Sequence, residues 1–369
     1  MGKRRRLPEE MGIFGVLVLV ALVMSLLSSD FMTLGNIQIL MLNGTVVAFL
    51  ALGQTFVLLT GGIDLSVGSN IALTGMLAAI AMQFGAPWWL AGLVAVVVGL
   101  LVGLFNGAII HFVKLPPFIV TFSTYGISAA IPQIVTGAKS VSVADPMFAF
   151  FGRGSLYGVP IPVIMLAIAA VIFIVILKQT PSGVHIYAVG GNADASRLAG
   201  VNIGRKILMV YAISGICAGI GGIITTSRLM VGYPTAGSGN EQFYSIASAV
   251  VGGVSLFGGV GTIVGALLGA ILIATVSNGM NVIGVDSFWQ PLVIGVIILL
   301  GVSLDAVRRQ ITIGEGVRRL FSTSAASLAP PVGADAPPVS DAPSRSEPDA
   351  LPAPPSGTSG FTPSDSSNR

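Results

Sequence analysis

The sequence predicts an all-α protein, a bundle of about ten helices that cross a lipid bilayer. Three observations support this fold class. Of the 369 residues, 53% are hydrophobic and only 9% are charged, whereas about a quarter of an ordinary soluble domain is charged. Apolar runs of about 17 to 25 residues recur along the chain, the length that a helix needs to cross roughly 30 Å of hydrocarbon. Many of the 48 glycines lie within these runs, where small residues let helices pack closely in lipid.

The apolar runs define the predicted elements in order. The first run follows the basic segment KRRR and is longer than the apolar part of a secretory signal, so we expect it to remain attached as a membrane helix. The predicted spans are residues 12–28, 37–59, 66–83, 88–112, 118–137, 161–177, 207–227, 244–257, 260–282 and 288–304. The 244–257 span is short and has the weakest support. Together they form a transmembrane domain over residues 12–310, preceded by a basic N-terminus at 1–11.

Basic residues are distributed unequally between the two sides of the predicted bundle. With the N-terminus inside and ten crossings, thirteen of the 18 Lys and Arg residues fall on the inner side and three on the outer side. Cytoplasmic loops carry such an excess of Lys and Arg. We therefore expect both termini to be cytoplasmic.

The C-terminal segment has a different composition. Residues 311–369 are rich in Pro, Ser and Ala and contain no long apolar run. A segment of this kind buries too little apolar surface to offset the entropy lost on ordering. We predict a disordered cytoplasmic tail that acts as a dispensable tether, with partner binding as the alternative.

Several kinds of chemistry are poorly supported by the sequence. One cysteine and two histidines offer little for metal or thiol catalysis, and no G-x-x-x-x-G-K-[ST] phosphate loop is present. We therefore expect no catalytic residues, no metal site and no bound cofactor. The basic residues do not gather with aromatic residues on one face, so we expect no nucleic-acid partner. Ion-coupled carriers usually hold ionisable residues within their spans, and their scarcity here makes such a carrier the less favoured alternative.

Neutral polar residues within the spans suggest the kind of solute. Amides and hydroxyls exchange hydrogen bonds without charge, as a pathway for a small neutral hydroxylated solute requires. The alternative for each residue is a hydrogen bond between helices, worth about 0.6 kcal/mol on average. The candidates for the pathway are Asn43, Gln54, Thr121, Thr124, Asn278 and Asn281.

Five segments in order resemble the membrane permeases of ATP-driven sugar importers, the ribose/xylose/galactose type within the ABC importer superfamily. They are GQTFVLLTGGIDLSVGS (53–69), LPPFIVTFSTYGI (115–127), YAVGGNADASRLAGVNI (187–203), IASAVVGGVSLFGGVGTIVGALLGA (246–270) and NGMNVIGVDSFWQPLVIGVIILLGVSLD (278–305). The resemblance implies a permease in the bacterial cytoplasmic (inner) membrane that carries a monosaccharide or related polyol. A nucleoside or a furanose signal is the alternative cargo.

The resemblance also implies partners. These are a second permease copy, with a homodimer as our expectation, and an extracytoplasmic solute-binding protein. A tandem-domain ATP-binding subunit would hold the ATP and Mg and hydrolyse the nucleotide. In this family the loop at 187–203 is the coupling helix that docks on that subunit.

The loop itself predicts a short helix over residues 193–199. Asn192 or Asp194 can cap its start, and Gly200 suits its end. The resemblance implies that the residues in contact with the ATPase are Asp194, Ser196, Arg197 and Leu198.

A carboxylate lies between two apolar runs in TGGIDLSVGS, residues 60–69. The ten-span topology places it at the cytoplasmic turn between the second and third spans. There Asp64 or Ser66 can cap the third helix beside its positive dipole end. We predict a capping, gate-forming hinge, with direct solute binding as the alternative.

Overall fold

The computed structural model describes residues 9–303 and residue 306, and its mostly helical structure confirms the predicted α class. Most of the predicted basic N-terminus and the predicted tail at 311–369 lie outside the described residues. The helices are Glu9–Leu27 (α1), Leu34–Leu59 (α2), Val67–Gln83 (α3), Trp88–Ala108 (α4), Pro117–Thr136 (α5), Pro146–Arg153 (α6), Ile161–Gln179 (α7), Pro181–Gly191 (α8), Ala193–Leu198 (α9), Ile203–Leu229 (α10), Glu241–Val251 (α11), Ile263–Val282 (α12) and Trp289–Ser303 (α13).

The helices differ in their capacity to cross a membrane. In the described part of the chain, 7 helices are long and apolar enough: α1, α2, α4 with the π-helical turn Ile109–Val113 that extends it, α5, α7, α10 and α12. The helices α3 and α13 are apolar but shorter. Every predicted span thus overlaps a helix, whereas ten crossings are more than helix length alone supports.

The predicted span at 244–257 is wrong in its boundaries. Helix α11 ends at Val251. The chain then turns at Gly252 and Gly253, and Gly253 has φ +87°, a left-handed conformation that glycine adopts without steric cost. Periodicity could not show this end, because the residues after it are as small and apolar as those within the helix.

The core of the bundle lies around α2 and α10. The second half of α2 is almost fully buried, as are α3 and most of α10. Large side chains in this core include Phe49, Phe56 and Tyr211. In contrast, α1, α5 and α7 bury few of their apolar side chains, as expected for helices that contact lipid.

Glycine allows two pairs of helices to approach closely. A methyl group added at Gly99 of α4 would collide with the backbone carbonyl of Gly215 on α10, and one at Gly215 with that of Gly99. Similarly, Gly269 of α12 lies against the carbonyl of Ser248 on α11. The small-residue spacing therefore serves close backbone packing within one chain.

Short strands support the C-terminal end of α10. Strand Val141–Ser142 (β1) pairs antiparallel with Val231–Gly232 (β4), which comes just after that helix. The other pair is a hairpin of Ser155–Leu156 (β2) and Val159–Pro160 (β3). Helix α6 packs on the same end of α10, where the Arg153 Nε donates to the Arg228 carbonyl over 2.6 Å. This support fixes the backbone of Arg228.

Candidate functional site

The carboxylate of Asp64 lies inside the helix bundle. The segment 60–66 leaves α2 through Gly61, whose φ of +79° is in the left-handed region that favours glycine. The chain then runs back between the helices, so that Asp64 is 0% exposed. Its Oδ1 accepts from the Ser66 backbone N–H at 2.9 Å and the Ser66 hydroxyl at 2.6 Å. Its Oδ2 accepts from the Ser214 hydroxyl of α10 at 2.7 Å.

The backbone of the same residue is held by α2. With the Gln54 side-chain amide oriented to suit both groups, its nitrogen donates to the Asp64 carbonyl at 3.1 Å, and its oxygen accepts from the Asp64 N–H at 3.2 Å. Gln54 is itself fully buried. Asp64 is therefore held by its main chain and its side chain together.

The hydrogen bonds extend from Asp64 to α3, α4 and α5. The Ser66 hydroxyl accepts from the Asn106 amide at 3.0 Å and from the Asn70 amide at 3.3 Å. The Thr124 hydroxyl of α5 donates to Asn106 Oδ1 at 2.6 Å. We call the set Gln54, Asp64, Ser66, Asn70, Asn106, Thr124 and Ser214 the buried network. It ties α2, α3, α4, α5 and α10 together.

One neighbouring hydroxyl reinforces this arrangement. The Thr121 hydroxyl contacts the Ile63 carbonyl at 3.2 Å, as well as the Pro117 carbonyl within its own helix at 2.9 Å. Within the network, Asn70 Oδ1 is buried and has no hydrogen-bond partner among the residues that the structure describes.

The structure corrects the predicted role of the 60–69 segment. Ser66 is the residue at the start of α3, but its side chain makes no capping hydrogen bond to that helix. Asp64 bonds Ser66 and Ser214 instead. The predicted cytoplasmic turn also becomes a segment that folds back into the bundle. The sequence missed this because Ser214, the partner on α10, lies within an ordinary run of small residues.

The predicted polar residues fall into two separate groups. Gln54, Thr121 and Thr124 are buried in or beside the network. Their positions agree with the alternative given above, in which such residues form hydrogen bonds between helices. Asn43, Asn278 and Asn281 instead line a cavity of about 320 Å³.

This cavity, which we call the polar cavity, lies between α2, α10, α11, α12 and the start of α13. Its polar lining is Asn43, Thr225, Arg228, Glu241, Tyr244, Ser277, Asn278, Asn281 and Gln290. The Arg228 guanidinium donates from Nη2 to Asn43 Oδ1 at 2.6 Å. The sequence alone does not assign Arg228 or Glu241, because charge does not distinguish a residue that lines a cavity from one in a loop.

The amides on the α12 and α13 side of the polar cavity all have hydrogen-bond partners. Asn278 and Asn36 exchange two hydrogen bonds, of 2.9 and 3.0 Å, between α12 and α2. Gln290 donates to Asn281 at 2.7 Å and accepts from the Ser277 hydroxyl at 2.8 Å. These bonds fix the wall that α12 and α13 form.

The predicted short helix at 193–199 is present as α9, residues Ala193–Leu198. Asn192 caps it by accepting from the Ala195 N–H at 2.9 Å, so Asp194 is not the cap. Gly200 follows with φ +82°. Leu198 is 91% exposed. Asp194 and Arg197 also face outward, and the Arg197 Nη1 atom lies 3.9 Å from Asp194 Oδ1.

Ser196 differs from the other predicted contact residues. It is buried, and its hydroxyl donates to the Asn192 carbonyl at 2.8 Å. It therefore stabilises α9 from within, and its side chain does not point toward the exposed face of that helix.

Helix α8 connects α9 to the loop that holds Asp64. Gly190 near the end of α8 packs against the Leu59 carbonyl, the last residue of α2, and against Gly259. The Tyr187 hydroxyl donates to the Gly261 carbonyl at 2.8 Å, and burial raises the pKa of this phenol. The exposed helix α9 is thus one short helix away from the segment 60–66.

These features define a class: a multi-pass membrane protein in which a buried polar network joins the helices beside a polar cavity. The chain belongs to the family described as "Branched-chain amino acid transport system / permease component", whose model matches residues 36–302. It is a multi-pass permease of the ABC importer type, in the bacterial inner membrane.

Relatives cover most of the chain. The D-allose transport system permease protein AlsC of Escherichia coli is 37% identical over 299 residues, 80% of this chain and 91% of that protein. The ribose import permease protein RbsC of Bacillus subtilis is 38% identical over 299 residues, 80% of this chain and 92% of that protein. The xylose transport system permease protein XylH of Haemophilus influenzae is 30% identical over 364 residues, 81% of this chain and 97% of that protein. No solved structure matches.

Proposed function

We propose that this chain forms the translocation pathway for a monosaccharide or related polyol in an ATP-driven, binding-protein-dependent importer. The observation that carries the proposal is that the ribose, allose and xylose permeases match it over most of both chains. The neutral amides and hydroxyls within the bundle suit an uncharged, hydroxyl-rich cargo. ATP hydrolysis belongs to a separate tandem-domain subunit, and an extracytoplasmic binding protein delivers the solute.

The proposed topology has ten crossings and both termini in the cytoplasm. Its support is a helix at each of the ten predicted positions and the excess of Lys and Arg on one side. The helices α3, α11 and α13 are shorter than a full span, so the non-helical segments next to them would complete these crossings, with their backbone groups enclosed by the surrounding helices. The basic segment 1–11, the permease domain 12–310 and a disordered tail at 311–369 remain our proposed division.

The proposed contact with the ATPase is the exposed face of α9. Asp194, Arg197 and Leu198 would make the contact. Asn192, Ser196 and Gly200 would shape the helix, because the first two bond within it and the last ends it. Movement of α9 would reach the segment 60–66 through α8, which packs on the last residue of α2.

The proposed gate is the buried network. Asp64 and Ser66 lie where five helices meet, so a shift of the segment 60–66 would change their relative positions. Gln54, Thr121 and Thr124 would act there by holding helices, as their burial indicates. Asn43, Asn278 and Asn281 would line the pathway on the opposite side from α9. We propose that two copies of the chain form one importer.

The test is uptake of radiolabelled D-ribose, D-allose and D-xylose into vesicles that contain the permease, with and without its ATPase and binding protein. We expect uptake of at least one sugar only when ATP and both partners are present. Equal uptake by the permease alone, or loss of uptake on adding an ionophore while ATP is kept constant, would contradict the proposal.

A further inference from the structure

Two opposite charges face the polar cavity without forming an ion pair. Arg228, at the end of α10, and Glu241, at the start of α11, both line it. Within the described residues, the ion pair that forms joins Asp194 and Arg197 on α9. A partly enclosed cation and anion that share a cavity gain from pairing with each other or with a third group. Here the space between the helices leaves room for a third group.

The hydrogen-bonding capacity of this pair is largely unused. Among the described residues, Glu241 Oε2 accepts no hydrogen bond; it is buried against Gly239, so a small rotation of the side chain would be needed to turn it toward the cavity. Arg228 has five N–H donors, and the structure gives one of its guanidinium nitrogens a partner, Asn43. Buried polar atoms are normally satisfied, so both groups are suited to an additional partner. In contrast, the cavity's amides from α12 and α13 already have partners: Gln290 bonds to Asn281, and Asn278 bonds to Asn36.

We infer that Arg228 and Glu241 form a specific binding site for a neutral, polyhydroxylated solute about the size of one sugar ring. Each hydroxyl of such a solute can donate to the Glu241 carboxylate and accept from the Arg228 guanidinium. The cavity volume of about 320 Å³ lies at the lower end of small-molecule sites, roughly 300–1,000 Å³. This inference rests on the proposed function, and adds that the permease itself recognises the solute.

The two charges also select by charge. A solute with one net charge would be attracted by one of the two groups and repelled by the other. A neutral solute satisfies both groups.

The experiment reads occupancy of the cavity directly. Thr225 lines it, and the native cysteine, Cys217, is buried, so Thr225→Cys supplies an accessible reporter thiol. In vesicles with the complete importer, we measure how fast a small cationic thiol reagent modifies this position. We expect D-ribose, D-allose or D-xylose, whichever the vesicles import, to slow modification at least about fivefold. Ser277→Cys, at the α12 wall, is the second reporter in case the first variant does not fold.

Glu241→Gln in the reporter background is the test of the named pair. We expect the sugar concentration that gives half-maximal protection to rise about tenfold, and a similar rise for Arg228→Lys. Asp30→Asn is the matched control, because it removes an exposed acid outside the cavity, and we expect no change. If the sugar that is imported protects neither reporter, or if Glu241→Gln and Arg228→Lys leave protection unchanged, the inference is wrong while the proposed function stands. If no sugar is imported, and D-gluconate or a basic amino sugar protects the reporters instead, both fail.

Discussion

The buried network and the polar cavity contain the same kinds of side chain and differ in how their carboxylates are satisfied. In the network, Asp64 accepts three hydrogen bonds from neutral donors within the bundle. In the cavity, the Glu241 side chain lines open space, and its buried Oε2 accepts no hydrogen bond from any described residue. Buried groups that are satisfied by their own chain hold helices in position, whereas unsatisfied groups around a cavity are free to bind a solute. The comparison assigns positioning to one region and recognition to the other.

The largest effect is expected at the centre of the network. Asp64→Ala removes the acceptor of the Ser66 and Ser214 hydroxyls, and each buried donor left without a partner costs about 1–3 kcal/mol. We expect uptake to fall at least about tenfold, and by more than the amount of protein in the membrane. Asp64→Asn, which keeps one acceptor oxygen, is the matched variant and should lose less. Normal transport by both variants would show that the carboxylate neither positions helices nor gates.

An exposed site should behave differently from both regions. Leu198→Glu on α9 places a charge on an exposed apolar side chain, so we expect ATP-dependent uptake to fall about tenfold with no change in thermal stability. Tyr157→Glu, at a position 98% exposed in the turn between β2 and β3, is the control and should transport normally. The measurement is sugar-stimulated ATP hydrolysis by the assembled importer. Full stimulation with Leu198→Glu would exclude α9 as the contact.

A peripheral member of the network should matter less than its centre. Asn106→Ala removes the hydrogen bonds to Ser66 and from the Thr124 hydroxyl. That hydroxyl keeps its contact with the Val120 carbonyl of its own helix at 3.0 Å. At about 0.6 kcal/mol for each bond between membrane helices, we expect a loss of roughly 1 kcal/mol in the free energy of unfolding. Denaturation in detergent provides the measurement. A loss equal to that of Asp64→Ala would show that the network does not have Asp64 as its centre.

The smallest effect is expected at a cavity residue whose hydrogen bond is internal. Asn281→Ala removes the acceptor of Gln290 at the cavity wall, and we expect the sugar concentration for half-maximal uptake to change less than about threefold. A larger change than that from Glu241→Gln would show that the amides, and not the charged pair, recognise the solute.

The sequence was sufficient for the class of fold and for the short helix α9. Length, hydropathy and capping residues are local properties, and Asn192 and Gly200 act within a few residues of each other. The assignment of each polar residue to the buried network or to the polar cavity depends on contacts that are distant in sequence. Gln54 and Asn43 are both amides on α2, yet one bonds to the folded-back segment at Asp64 and the other to Arg228. Only the packing of α10 against α2 separates them.

The end of α11 and the path of residues 60–66 were beyond prediction for a similar reason. Both depend on glycines whose backbone conformation is set by neighbours distant in sequence. Gly61, for example, lies beside the Phe257 carbonyl. An apolar run shows that a segment is within the membrane, but not where the backbone stops being helical.

The most direct test of the division between the two regions compares Glu241→Gln with Asp64→Asn in the same importer vesicles, at one fixed concentration of binding protein. The measurement is the sugar concentration that gives half-maximal uptake, with the midpoint of thermal unfolding recorded for each variant. We predict about a tenfold rise in that concentration for Glu241→Gln with little change in the midpoint. For Asp64→Asn, we predict a midpoint lowered by roughly 2–4 °C for each kcal/mol lost and an unchanged half-maximal concentration in the protein that remains folded. The reverse pattern would contradict the account.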